Sequence, residues 1–185
     1  MPNWCDTTYK AVGTKKQVKE FYDLAMKAWN NEDNKGWLGH FVTGLGGDWE
    51  KVPCRGWMRD EPNMCGNGTW CEVYADTAWC EPPEWRHFIE SKIKGLKIYY
   101  VAIEPGCDVY LSNDDEYADK YYVDAGPEQP DDMFMTEVGV CDFVEKHYQA
   151  NVNSIEDCYA AAEGINDNDD DDEWLYIHNI EVCDD

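Results

Sequence analysis

The order of elements readable in this chain of 185 residues predicts an α+β fold: a βαββαβ sandwich with an acidic C-terminal α/β extension. Three observations carry that expectation. Two apolar stripes at helical spacing, each with a recognisable start, lie between runs rich in β-formers. A second group of helical and strand patterns follows Gly126-Pro127. The acid is also one-sided. Residues 1–97 hold 14 Asp/Glu and 13 Lys/Arg, whereas residues 98–185 hold 25 Asp/Glu against Lys120 and Lys146 alone, out of a net charge of -24.

Trp4 to Val12 reads as the first strand. Thr14 with Gln17 three residues on makes a capping-box pattern, and Val18, Phe21, Tyr22, Ala25, Met26 and Trp29 follow as one apolar stripe. Residues 30–68 are rich in Gly, Asn, Asp and Pro and read as an irregular insertion, with one short strand near Gly39–Leu45. Thr69 to Asp76 alternates as a strand. Pro82-Pro83 opens a second helix with Trp85, Phe88, Ile89 and Ile93 inward, and Gly95 closes it. Trp79 and Trp85, flanking the prolines, are expected to pin that helix to the sheet. Leu96 to Glu104 is a β-rich run, and Cys107–Ser112 with Lys120–Asp124 is expected to form a hairpin around Asn113–Glu116. This succession is of ferredoxin-like type and occupies residues 1–126.

Residues 127–185 form the extension. Val140, Phe143, Val144, His147 and Tyr148 make a helical stripe, and Ser154 with Asp157 starts a shorter helix that Gly164 is expected to close. Asn166 to Asp172 reads as an acidic loop. Trp174 to Val182 alternates as a final strand, with Trp174, Tyr176, His178, Ile180 and Val182 on one face. The charge change falls at Lys97–Ile98, inside a predicted strand, so one fold is expected to carry both balances.

Several motifs together resemble a known family. The opening MPNWC, Gly68-Thr69-Trp70, the segment Thr77-Ala78-Trp79-Cys80-Glu81-Pro82-Pro83 and the later IEPG resemble the YubB-type ferredoxin-like proteins of plasmids, phages and gut bacteria. Cys80-Glu81 stands where that family has a single small polar residue, which lengthens the turn by one. The resemblance spans residues 1–112. It implies the fold and an origin in mobile genetic elements, and it brings no reaction and no catalytic residue.

Composition excludes some functions. Neutralising phosphates needs basic patches, and the second half has none, so direct nucleic-acid binding and an anionic membrane surface are both unfavourable. The start has no basic n-region or apolar h-region, so a secretory signal is not expected, and a cytoplasmic location is. Nine cysteines with no CxxC pair read as reduced thiols rather than a zinc site. Cys80 and Cys107 sit in turn-like segments.

Glu84 and His87, with Glu90 a turn on, have the spacing of a helical metal-ligand pair, but no second pair faces them, and a polar helix edge is the simpler reading. Asp167, Asp169 and Asp171 imitate calcium-loop spacing, but Asp172 replaces the required glycine and His178 the closing glutamate. Gly44-Leu45-Gly46-Gly47-Asp48 lacks the Lys-Ser/Thr of a phosphate cradle. No catalytic residue, metal or cofactor is expected.

The reading that remains is a non-enzymatic binding protein whose carboxylates meet a basic partner, such as the nucleic-acid groove of a host enzyme. A surplus of 23 carboxylates matches the charge of roughly 40 Å of duplex, and alternate residues of a strand lie about 6.6 Å apart, close to phosphate spacing. The candidate residues are Asp114, Asp115, Glu116, Asp119, Asp124, Asp131, Asp132, Asp167, Asp169, Asp170, Asp171, Asp172 and Glu173, with Tyr117, Tyr121, Tyr122, Phe134 and Trp174 as apolar anchors. The competing readings are a small metal-dependent enzyme using Glu84 and His87, and a structural module that dimerises through its final strand.

Overall fold

The computed structural model describes residues 3–127, 129–167 and 173–183. The fold is α+β. Its chain divides into two compact units, one of Met1–Asp114 with Cys183–Asp185 and the other of Asp115–Val182.

In the first unit, β1 (Trp4–Val12) leads to α1 (Lys15–Trp29), α2 (Gly39–Gly44), β2 (Gly56–Met58), β3 (Asn63–Met64), β4 (Trp70–Ala78), α3 (Pro83–Lys92), β5 (Lys97–Glu104) and β6 (Val109–Ser112). The strands lie in the order β6-β5-β1-β4-β2, each antiparallel to its neighbour, with β3 also paired to β4. Alternation aims Cys5, Thr7, Tyr9 and Ala11 of β1 and Cys71, Val73, Ala75 and Thr77 of β4 into the core. There they meet Val18, Phe21, Ala25 and Ala28 of α1 and Trp85 and Ile89 of α3. The capping box at Thr14 and Gln17 is formed. The indole of Trp85 donates to the Leu38 carbonyl at 2.9 Å, and the hydroxyls of Thr7 and Thr77 pair at 2.7 Å inside the sheet.

The insertion differs from its expected strand. Gly39–Gly44 is helical, because Leu38, Phe41 and Val42 together bury one side, a three-to-four spacing that alternation does not produce. Phe41 lies against both Phe21 and Trp85. Trp79 does not pin α3. Its backbone is left-handed (φ 72°) while its N–H donates to the Asn3 carbonyl at 2.9 Å, and the side chain is turned out to 54% exposure. Trp85 is fully buried and holds α3 to the core together with Ile89.

The second unit contains β7 (Tyr121–Gly126), β8 (Phe134–Met135), α4 (Glu137–Tyr148), α5 (Ile155–Asn166) and β9 (Trp174–Asn179), followed by β10 (Glu181–Val182). Its sheet runs β8-β7-β9, antiparallel throughout. The expected hairpin of Cys107–Ser112 with Lys120–Asp124 is not formed: β6 pairs with β5, and β7 with β8 and β9. The compact division consequently falls at Asp114–Asp115, where the sequence suggested Gly126–Pro127.

Thr136 and Ser154 cap α4 and α5, accepting from Gly139 N at 3.1 Å and Asp157 N at 3.2 Å. Helix α5 runs through Gly164 instead of stopping there. A side chain at that position would meet open space, so the glycine weakens the helix without ending it. The last strand also differs, since β9 ends at Asn179 and its buried residue is Leu175. The expected shared face of Trp174, Tyr176 and His178 is present in β9 and lies opposite the buried one. Two neighbouring helices supply an apolar bed to the Leu175 face, a choice that alternation alone does not make.

Candidate interaction surface

The charge follows the compact division. Residues 115–182 hold 20 Asp/Glu against Lys120 and Lys146, a balance of -18 within the net -24. The change still begins at Lys97, since residues 98–114 add Glu104, Asp108 and Asp114 with no Lys or Arg, but most of the surplus lies in the second unit.

That unit has a built interior. Val123, Ala125 and Leu175 of the sheet pack on Val140, Phe143 and Val144 of α4 and on Ile155, Cys158 and Ala162 of α5. By alternation, Tyr122 and Asp124 of β7 and Trp174, Tyr176 and His178 of β9 occupy the opposite face. The register sets Tyr122 beside both Phe134 and His178, Asp124 beside Tyr176, and Gly126 beside Trp174. Tyr122 meets Phe134 edge-on at 5.6 Å between ring centroids, and Tyr176 stacks on His178 at 6.4 Å. The indole of Trp174 covers Gly126 so closely that a Cβ there would run into the ring. Tyr148 fastens this end, its hydroxyl 2.7 Å from the Trp174 carbonyl and 3.3 Å from that of Gly126. Of the expected anchors, Tyr122, Phe134 and Trp174 are on this aromatic face, whereas Tyr121 packs against the helices.

The carboxylates are distributed differently from the expected rows. Strand β7 carries Asp124 alone, which accepts from Gln129 Nε2 at 2.9 Å, and β9 carries none. The other described candidates sit on loops and helix ends. Asp114 closes the first unit, its N–H donating to Ser112 Oγ at 3.0 Å, and Asp115 and Glu116 are exposed. Asp119 is half-buried; burial, and then the neighbouring Asp132 charge, raise its carboxyl above the ordinary range. Asp132 also accepts from Phe134 N at 3.0 Å, so a carboxylate stands directly at the start of β8. Asp131 is exposed, Asp167 caps the end of α5 and Glu173 precedes β9. Asp169, Asp170, Asp171 and Asp172 lie outside the described residues.

Two clefts flank the C-terminal turns of α4 and share Lys146 and His147. One, of about 590 Å³, is lined by Asp131, Asp132 and Asp142, and the other, of about 330 Å³, by Glu173, Gly126 and Tyr148. His147 is stacked on Phe143 at 4.4 Å. Sequence reasoning missed Asp142, Lys146 and His147, although i, i+4 spacing already places Asp142 and Lys146 on one helix edge.

Glu84 and His87 are exposed on α3. Glu90 Oε1 accepts from the Ile98 backbone at 2.7 Å, which ties α3 to β5. Among the described residues, no group of three or more His, Cys, Asp or Glu side chains is placed to hold a metal ion. Cys65 is held in a turn where the backbone N–H groups of Thr69 and Trp70 both reach its sulfur at 3.2 Å. Burial opposes its ionisation, but these donors win and draw its pKa below the usual thiol value. Cys107 is the reverse: a hydrogen bond to Glu104 raises it, against the amide of Asn3. No helix among the described residues is long and apolar enough to cross a membrane. The chain matches no protein-family model, no curated protein and no solved structure.

Proposed function

We propose that this is a non-enzymatic binding protein whose second unit presents its carboxylates to a basic protein surface, in the manner of a nucleic-acid mimic. The observation that carries the reading is the concentration of charge, with -18 on one compact unit that has its own core. Such a unit attracts cationic surfaces over a Debye length of about 8 Å in physiological salt, and it repels nucleic acid. The aromatic face of Tyr122, Phe134 and Tyr176 beside Asp124 adds rings on which arginine stacks, so cationic side chains find both charge and flat apolar contact. The nucleic-acid groove of a host nuclease or other defence protein has that chemistry.

The first unit serves as the scaffold. Its order β5-β1-β4-β2, with helices α1 and α3 as the crossings, supports a ferredoxin-like reading and fits the YubB-type resemblance of residues 1–112. The plasmid and phage setting of that family favours a host-defence partner.

The test compares two neutralised proteins as bait in a lysate. One carries Asp131→Asn, Asp132→Asn, Asp142→Asn and Glu173→Gln. The other carries the same number of changes in the first unit, at Glu20, Asp23, Glu32 and Asp33. The expected result is a set of basic nucleic-acid-binding proteins retained by the parent and the second variant, lost by the first, and released as salt rises. Identical retention by both variants, or retention that salt does not affect, overturns the proposal.

A further inference from the structure

Nine cysteines are present, and one pair of them is in contact across two helices. Cys141 of α4 and Cys158 of α5 have their sulfurs 3.5 Å apart, the Cys158 thiol donating to Cys141. We propose that these two residues form a redox-sensitive dithiol that closes into a disulfide, clamping α4 to α5 beneath the second unit's sheet. The proposal is independent of the partner-binding reading.

Geometry and access both support closure. A disulfide needs sulfurs about 2.0 Å apart, so the two atoms must approach by about 1.5 Å, which a modest side-chain rotation on either helix covers. The two thiols differ in access, with Cys141 half-buried and Cys158 fully buried. Cys141 is therefore the sulfur that an external oxidant meets, and Cys158 is the resolving one. Burial, and then the adjacent Cys141, raise the Cys158 thiol, so it keeps its proton until Cys141 becomes electrophilic. The groups acting on the pair are acidic or phenolic. Glu137 and Asp157 bear on Cys158, while Tyr121 feels both Cys141 and Glu137. An anionic oxidant is repelled there, and a cationic low-molecular-weight disulfide is attracted.

The chemistry balances with such a disulfide as the oxidant. The Cys141 thiolate attacks one sulfur of the small disulfide, whose S–S bond breaks, and one thiol leaves. Cys158 then gives up its proton and attacks Cys141 Sγ, forming the internal bond and releasing the second thiol. The protein pair loses two electrons and two protons, and one disulfide is reduced to two thiols.

The probe is cystamine, a cationic disulfide, applied to the intact chain, followed by blocking of free thiols and tryptic mapping without reduction. Lys146 lies between the two cysteines, so cleavage leaves them on separate peptides that only a disulfide joins. The expected product is a joined pair of 121–146 and 147–185, absent from Cys141→Ser and Cys158→Ser but kept by Cys183→Ser, since Cys183 shares the second peptide. Oxidised parent protein should also melt at a higher temperature than reduced parent protein. Cys141 persisting as a mixed disulfide in the parent, or a joined peptide that survives in Cys158→Ser, overturns the proposal. The parent's own map decides the matter even if a variant folds poorly.

Discussion

Removing one member of the buried ion pair in the first unit should cost it a large part of its stability, whereas removing both should not. Arg86 Nε stands 3.2 Å from Glu81 Oε1, and the two side chains are only 1% and 2% exposed. The guanidinium also lies over the Tyr100 ring at 5.2 Å. Glu81→Leu leaves the guanidinium without its counter-ion in a site shut off from water, and Arg86→Met does the same to the carboxylate. Breaking such a pair costs about 3–5 kcal/mol, while replacing both partners by apolar groups of similar volume is close to neutral or stabilising. Against a whole-domain stability of about 5–15 kcal/mol, either single change is severe. With a urea dependence of about 2 kcal/mol per molar, each single variant should lose about 2 M in its midpoint. Tryptophan fluorescence is the assay, because eight of the nine tryptophans lie in the first unit. The double variant should return to within about 1–2 kcal/mol of the parent, a large favourable coupling in the double-mutant cycle. Single variants that each lose under about 1 kcal/mol, or a double variant that loses the sum of the two, would refute the reasoning.

Three further outcomes test the rest of the structure. Gly164→Ala should stabilise α5 by about 0.5–1 kcal/mol, because the added methyl meets open space and the backbone is already helical; thermal melting by circular dichroism reads it. Asp119 has its carboxyl raised in the folded state by burial and by Asp132, so folding binds its proton more tightly than the unfolded chain does. Its contribution therefore destabilises in full above the raised pKa and disappears as pH falls below the ordinary carboxylate value. Asp119→Asn should accordingly stabilise the protein at neutral pH and flatten that part of the pH–melting curve, and an unchanged curve counts against the assignment. Among the accessible thiols, Cys65 should be alkylated by iodoacetamide faster than Cys107 at neutral pH, since two backbone N–H groups favour its thiolate while Glu104 holds the Cys107 proton. Peptide-resolved mass spectrometry gives both rates.

Much of the architecture was legible because its signals are local. The Thr14–Gln17 box and the Ser154 cap are satisfied within a few residues of themselves, and the stripes of α1 and α4 repeat at a period that only a helix produces. Alternation in β1 and β4 likewise states that one face is buried. The misreadings share a cause: each needed a partner distant in the chain. Gly39–Gly44 took its helical form from Phe21 and Trp85, and Trp79 was turned outward by its bond to Asn3. The Trp174–Asn179 alternation was real, but which face to bury depended on where α4 and α5 lay. The clefts around Lys146 and His147 were invisible for the same reason, since their walls come from loops and a helix far apart in sequence.

The sequence by itself determined the α+β composition, the capped helices and the one-sided charge, because propensity, capping and net charge are sums over neighbouring residues. Only tertiary structure decided that β7 leaves the first sheet to pair with β8 and β9, and so that the acid collects on a compact unit of its own. It also brought Cys141 against Cys158, and Glu81 against Arg86 with both side chains buried. Pairing and burial are properties of distance in space, and the free energy of a charge or a thiol is set by what surrounds it there.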